Sequence, residues 1–173
     1  CVEHELLTNG DGIVIGLSGG MDSVCLLQVL AALRNEWQLR LVCVHVHHGI
    51  RGTAADEDAA FAQRLAAKYN ISFRLYEMDI PQLAKEQGLS EEEAGRNYRY
   101  RCFEEVRKEL NFDKIAVAHH RDDQAETVLW QILRGSGLRG VCGMRAGRAN
   151  IIRPLLCLDR QQIEQIVRGN GDG

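Results

Sequence analysis

No two cysteines in this chain stand at Cys-x-x-Cys spacing. The six cysteines, Cys1, Cys25, Cys43, Cys102, Cys142 and Cys157, are scattered, and most sit inside apolar runs. That argues against a zinc or redox motif and for cysteine as a small core hydrophobe. Unpaired thiols fit a reducing cytoplasm, the expected location. No run of about eighteen apolar residues occurs, so neither a membrane span nor a membrane partner is expected. No signal peptide is visible in the polar, acidic opening Cys1-Val2-Glu3-His4-Glu5, and a start on Cys rather than Met suggests a fragment or processed chain. Nor is there a basic excess: 21 Lys and Arg face 24 Asp and Glu, a net charge of −3, which lends no global support to nucleic-acid binding. There is no internal repeat and no long linker. With 173 residues, 45% of them apolar, one globular domain over residues 1–168 is expected, followed by a flexible or truncated tail at 169–173.

Two familiar phosphate loops are also missing. A Walker loop ends in Gly-Lys-Ser/Thr, and a dinucleotide fingerprint needs Gly-x-Gly-x-x-Gly. The glycine loop present here is Ser18-Gly19-Gly20-Met21-Asp22-Ser23, after the apolar, β-branched run Ile13-Val14-Ile15 and before the helical pattern that opens at Val24. Strand, tight loop and helix follow in that order. Gly19 and Gly20 permit positive φ, so that successive N–H groups turn inward toward an anion at a helix N-terminus. The hydroxyls of Ser18 and Ser23 add donors. Asp22 would repel a phosphate, and it makes sense as a ligand for Mg²⁺ bridging to phosphate oxygens.

Strands and helices alternate along the rest of the chain. Further strands are expected at Leu41–Val46, Ile71–Tyr76, Lys114–Ala118 and Ile151–Pro154, with helices at 54–69, 81–88, 90–110 and 160–168. The expected architecture is an α/β doubly wound, mostly parallel five-stranded sheet of order 3-2-1-4-5, with helices on both faces. Ligands bind such sheets beyond the strands' carboxyl ends, at the point where strand order reverses. Polar loops fall there after strands one, two and four.

The loop after strand four carries His119, Asp122, Asp123 and Glu126. The two aspartates start a helix and Glu126 shares their face. From the residues alone, helix capping and a role in holding Mg²⁺ or an amine stand level. His45, His47 and His48 form a histidine-rich loop without further ligands at metal spacing. There the strand-end backbone at His45 and Val46 suits an adenine edge, and Arg51 suits an anion. Arg96, Arg99 and Arg101 beside Tyr98 and Tyr100 read either as a solvated face or as a phosphate clamp. The acid-free stretch Arg134–Arg153 has the same two readings. Glu91-Glu92-Glu93 reads as a solvated first helical turn.

The Ser18–Ser23 loop resembles the Ser-Gly-Gly-x-Asp-Ser signature of the PP-loop ATP pyrophosphatases. Longer pieces narrow the resemblance: His45-Val46-His47-His48-Gly49-Ile50-Arg51, Arg96-Asn97-Tyr98-Arg99-Tyr100, His119-His120-Arg121-Asp122-Asp123-Gln124-Ala125-Glu126-Thr127, Arg134-Gly135-Ser136-Gly137-Leu138-Arg139-Gly140 and Arg153-Pro154-Leu155-Leu156. In this order they are similar to the N-terminal catalytic domain of the tRNA(Ile)-lysidine synthetases. The resemblance implies ATP-dependent adenylation of the C2 oxygen of the wobble cytidine in a CAU-anticodon tRNA(Ile), with release of pyrophosphate. The ε-amine of free lysine then attacks C2 and expels AMP, leaving lysidine. It implies that Ser18, Gly19, Gly20, Asp22 and Ser23, with His45, Val46 and Arg51, bind ATP, and that Asp22, Asp122 and Asp123 hold Mg²⁺. Arg99 would contact the nucleotide or activated base, and His119, Asp123 and Glu126 would hold the lysine. Asp22 then counts with Arg99, His119, Asp123 and Glu126 among the catalytic residues. His47 departs from the family's Asp or Asn, and Gly95 from its Ala. The resemblance implies that the family's C-terminal tRNA-binding domains would lie beyond this 173-residue stretch. A second copy of the chain is carried as a candidate partner. The rival expectations are a PP-loop tRNA thiolase and a non-catalytic adenine-nucleotide module.

Overall fold

The computed structural model describes residues 6–47, 53–118, 147–148 and 150–169, with backbone alone at 53–55 and 147–148. Its centre is the strand β1 (Gly12–Gly16), where Ile13, Val14 and Ile15 have no exposed surface. Burying each of these side chains contributes roughly 1.5–3 kcal/mol. β1 pairs in parallel with β2 (Arg40–His47) on one side and with β4 (Lys114–Ala116) on the other. β2 continues to β3 (Ser72–Glu77), and β4 to β6 (Ile151–Ile152), both parallel. The five expected strands therefore stand in the expected order.

A sixth strand extends the sheet. β5 (Gly147–Arg148) pairs antiparallel with β6 at the edge, giving the order β3-β2-β1-β4-β6-β5. β4 is shorter than the expected Lys114–Ala118, although the Val117 N–H still donates to the Ile152 carbonyl at 3.1 Å.

Helices cover both faces, and strand alternation assigns each residue to one of them. Ile13, Ile15, Leu41 and Cys43 pack beneath α1 (Met21–Leu33), α2 (Thr53–Lys68) and α5 (Arg160–Gly169). Val14, Val42, Val44, Val46 and Ile115 pack beneath α3 (Ile80–Gln87) and α4 (Glu91–Glu109). The thiols of Cys25 and Cys43 lie in the first of these cores, where burial pushes them up to about 11 and about 12. They are core hydrophobes, as their apolar neighbours in sequence suggested.

Local signals set the helix ends. The Ser90 hydroxyl accepts from the Glu93 N–H at 3.2 Å, the N-cap that its spacing predicted. Asp79 caps α3, and Gly88 ends it at φ +66°. At α5 the cap is reciprocal: the Gln162 N–H donates to Asp159 Oδ1 at 2.9 Å, and the Asp159 N–H to Gln162 Oε1 at 3.0 Å. The lead-in before β1 is tied down as well. Leu6 and Leu7 are buried, and Asp11 pairs with Lys114 at 2.7 Å.

Candidate functional site

Beyond the carboxyl end of β1 the backbone makes one more ladder bond, from the Leu17 N–H to the Val44 carbonyl at 3.0 Å, and then turns. Gly19 takes φ +93°, a conformation that costs any side-chain-bearing residue steric strain. Gly20 does not: at φ −72° and ψ 156° it is extended backbone at the N-cap of α1. One positive-φ residue, rather than the two allowed for, makes the turn.

The loop closes on the buried Ser23 hydroxyl. Its Oγ accepts from the Ser18 N–H at 3.1 Å and the Gly19 N–H at 3.2 Å, and donates to the Gly20 carbonyl at 2.8 Å. Ser18 Oγ lies 3.1 Å from Ser23 Oγ. Ser23 thus holds the loop's shape in addition to whatever it offers a ligand. Asp22 is half-buried in the first turn of α1.

A cavity of about 610 Å³ opens above this loop. Small-molecule sites run to about 300–1,000 Å³. Its floor is the carboxyl ends of three neighbouring strands: Gly16 and Leu17, Val44 to His47, and Val117 and Ala118. One wall is a single face of α4, on which Glu92, Arg96, Arg99, Tyr100 and Phe103 recur at helical spacing. Arg96 also lies over the Tyr100 ring, 6.0 Å from its centroid. Asp58 of α2 lines the opposite wall. Gly16 is required by the floor: a Cβ there would stand 2.8 Å from Phe103 Cζ.

His45, 5% exposed, donates from Nδ1 to the Leu17 carbonyl at 2.8 Å. Burial lowers its pKa from the usual 6.5; the Leu17 carbonyl and Asp58 pull it up, while His47 and Arg99 push it further down. His47 lines the cavity too, its Nε2 lying 3.3 Å from Asp56 Oδ1 on the first turn of α2.

Of the residues singled out from sequence, Ser18, Ser23, His45, Val46 and Arg99 come together around this cavity, with Gly19, Gly20 and Asp22 in the loop and helix start beside it. Arg51, His119, Asp122, Asp123, Glu126 and the stretch from Arg134 to Arg145 lie outside the described residues. Among the described residues no group of three His, Cys, Asp or Glu side chains is placed to hold a metal ion. The α4 arginines divide. Arg96 and Arg99 face the cavity, whereas Arg101 stacks on Tyr98, 4.9 Å from its centroid, and lies 3.9 Å from Glu105. Glu92 and Asp58 had no sequence signal beyond acidity: one sits inside a run of glutamates, the other in Asp56-Glu57-Asp58. No described helix is long and apolar enough to cross a membrane.

Comparison with known proteins matches residues 3–172 to the PP-loop domain family. The chain is 48% identical over 166 residues to a tRNA(Ile)-lysidine synthase of Caldanaerobacter subterraneus, covering 96% of this chain and 36% of that one. It is 42% identical over 163 residues to the tRNA(Ile)-lysidine synthase of Clostridium tetani, covering 94% and 35%. The chain therefore spans about a third of the length of the curated relatives it matches. Among solved structures it resembles the U34-tRNA thiolase NcsA of Methanococcus maripaludis, solved with its [4Fe-4S] cluster. There the TM-score is 0.76 and the identity 21%, over 95% of this chain and 57% of that one. It also resembles the NH3-dependent NAD synthetase of Campylobacter jejuni, with TM-score 0.61 and 19% identity, over 97% and 67%. At these identities the structural likeness speaks for the fold.

Proposed function

The chain belongs to the PP-loop domain family, and on that premise we propose that it is the ATP-activating portion of a tRNA(Ile)-lysidine synthase. The observation that carries the reading is the placement of Arg96 and Arg99 on the wall of the cavity whose floor ends in the Ser18–Ser23 loop. Positive groups on two sides of one cleft suit a polyphosphate. The 48% identity to a named synthase over nearly the whole chain supports the finer assignment.

In this reading the triphosphate lies along the loop with the positive end of α1 beside it, while the Ser18 and Gly19 N–H groups, held on Ser23 Oγ, keep the turn in shape. The nucleoside lies against the strand end at His45 and Val46. The C2 oxygen of the wobble cytidine of a CAU-anticodon tRNA(Ile) attacks the α-phosphorus, and pyrophosphate leaves. Arg96 and Arg99 stabilise the charge that develops on the phosphate oxygens. The ε-amine of lysine, with a pKa near 10.4 in water, gives up a proton and attacks C2, and AMP leaves with the oxygen. His119, Asp123 and Glu126 are the residues proposed to receive the lysine. Asp22 offers the oxygen donor that a hard divalent cation takes, with Asp122 and Asp123 as its proposed companions. Bound Mg²⁺ would supply charge neutralisation at the phosphate oxygens.

The test is tRNA-dependent ATP–pyrophosphate exchange, followed by transfer of labelled lysine. It is run with the 173-residue chain and with a chimera in which the chain replaces the matching third of the Clostridium tetani relative. Exchange that requires a CAU-anticodon tRNA, with lysine incorporated by the chimera, is the expected result. ATP binding without exchange under any tRNA would mark a nucleotide-binding module. Sulfur transfer in place of lysine transfer would mark a thiolase.

A further inference from the structure

Two carboxylates line the cavity: Glu92 stands among the α4 arginines, and Asp58 stands apart from them. It sits on α2 against the glycine loop: its Cβ and carbonyl oxygen are each 3.6 Å from the place a Cβ on Gly19 would occupy. Its exposed side chain lines the cavity. A carboxylate there repels phosphate oxygens, so the part of the ligand it meets must carry hydrogen-bond donors or positive charge.

His45 narrows the choice. A carbonyl only accepts, so the 2.8 Å contact with Leu17 fixes the imidazole proton on Nδ1 and leaves Nε2 with a lone pair. Burial disfavours a second proton, and the ring senses the charge of Asp58. The α2 side of the cavity therefore offers two acceptors in electrostatic reach of each other. The positive end of α1 and the α4 arginines face the cavity from the other sides. The cavity is polarised, and a nucleotide is polarised in the same sense: phosphates accept, and the sugar hydroxyls donate. The sugar is bonded to the α-phosphate, whereas the base lies one step further away. An acceptor packed against the phosphate loop therefore meets the sugar.

We propose that Asp58, with His45 beside it, hydrogen-bonds the vicinal hydroxyls of the ribose and is a specificity-determining residue for ribonucleotide over deoxyribonucleotide. The inference rests on the reading that this cavity binds ATP.

Calorimetric titration of the chain with ATP, 2′-deoxy-ATP, 3′-deoxy-ATP and inorganic pyrophosphate, in Mg²⁺ and in EDTA, tests it. The native chain should bind ATP about tenfold or more tightly than either deoxy analogue, since a hydrogen bond to a charged acceptor is lost with each hydroxyl. Asp58→Ala should bring that ratio close to one, chiefly by weakening ATP, and leave pyrophosphate affinity unchanged. Asp58→Asn, which keeps an uncharged acceptor, should give an intermediate ratio. An Asp58→Ala chain that retains the native preference overturns the inference while leaving ATP binding intact. So does one that weakens all three nucleotides equally in Mg²⁺ and none of them in EDTA, the behaviour of a cation ligand. A native chain that binds no ATP at all removes the functional reading, and this inference with it.

Discussion

Ser23 Oγ and the backbone nitrogen of Ser18 stand 3.1 Å apart, joining the two ends of the six-residue glycine loop. This bond, with its companion from Gly19, keeps the loop's N–H groups paired when no anion is there. Replacing Ser23 with Ala removes the acceptor for both. Urea unfolding should show a loss of about 1–3 kcal/mol, and ATP affinity should fall about tenfold because the cradle is no longer pre-formed. Native-like values of both would remove the pinning role.

Gly16 and Phe103 make a second test. The Cβ of Gly16→Ala would lie 2.8 Å from Phe103 Cζ and 3.0 Å from Cε2, so the ring must move. Overpacking of this kind costs about 1–3 kcal/mol. Phe103→Leu should be destabilising alone, yet recover part of the loss in the double variant, and a double-mutant cycle in urea measures that coupling. Strict additivity would mean that the two positions do not meet.

The division among the α4 arginines predicts unequal effects on nucleotide binding. Arg96→Ala and Arg99→Ala should each weaken ATP about tenfold, the range for a lost charge-assisted contact. Arg101→Ala should change it less than about twofold, because that side chain is engaged with Tyr98 and Glu105 on another face. Equal losses at all three would point to a diffuse field instead of a directed wall.

Acid should act in two windows. The His45 pKa is lowered chiefly by burial, so between 6.5 and its folded value the unfolded chain binds more protons. That stability is complete above about pH 6.5 and is lost as the pH falls. Glu104 is held down from 4.5 to about 2, first by its hydrogen bonds from Arg107 and with help from Asn150. Its contribution is complete above pH 4.5 and fades toward pH 2. Chemical denaturation across pH 3–8 should show both slopes. His45→Gln should flatten the upper one and Glu104→Gln the lower one, each leaving the other in place.

How much of this was legible in the sequence varied with how each residue is buried. Ile13, Val14 and Ile15 announce a strand buried on both faces, and the glycine loop after them announces a turn at its carboxyl end. From that, the neighbours of β1 followed. The pairing of Gly147–Arg148 with Ile151–Ile152 did not, because a two-residue ladder has no period to detect. The cavity wall on α4 was half visible. Arg96 and Arg99 stood out as basic, but the apolar positions of α4 mark only the face packed on the sheet and not which polar residues flank a cavity. Glu92 read as solvent-facing and is exposed, and it also borders the cavity beside the arginines. Asp58 was hidden for a related reason. It reaches the loop only because α2 packs back over β2 and β3, a contact between distant segments that leaves no mark in local composition.

The sheet separates two cores that share no layer: α1, α2 and α5 lie on one side, α3 and α4 on the other. Above the strand ends the sheet stops, and the cavity brings α2 and α4 to face each other across open space. A ligand seated there touches both layers at once and works as a staple between halves that, among the described residues, are coupled chiefly through the strands. Its binding energy is shared by both, so occupancy should slow amide exchange in α2 and α4 together, including in turns that the ligand never touches.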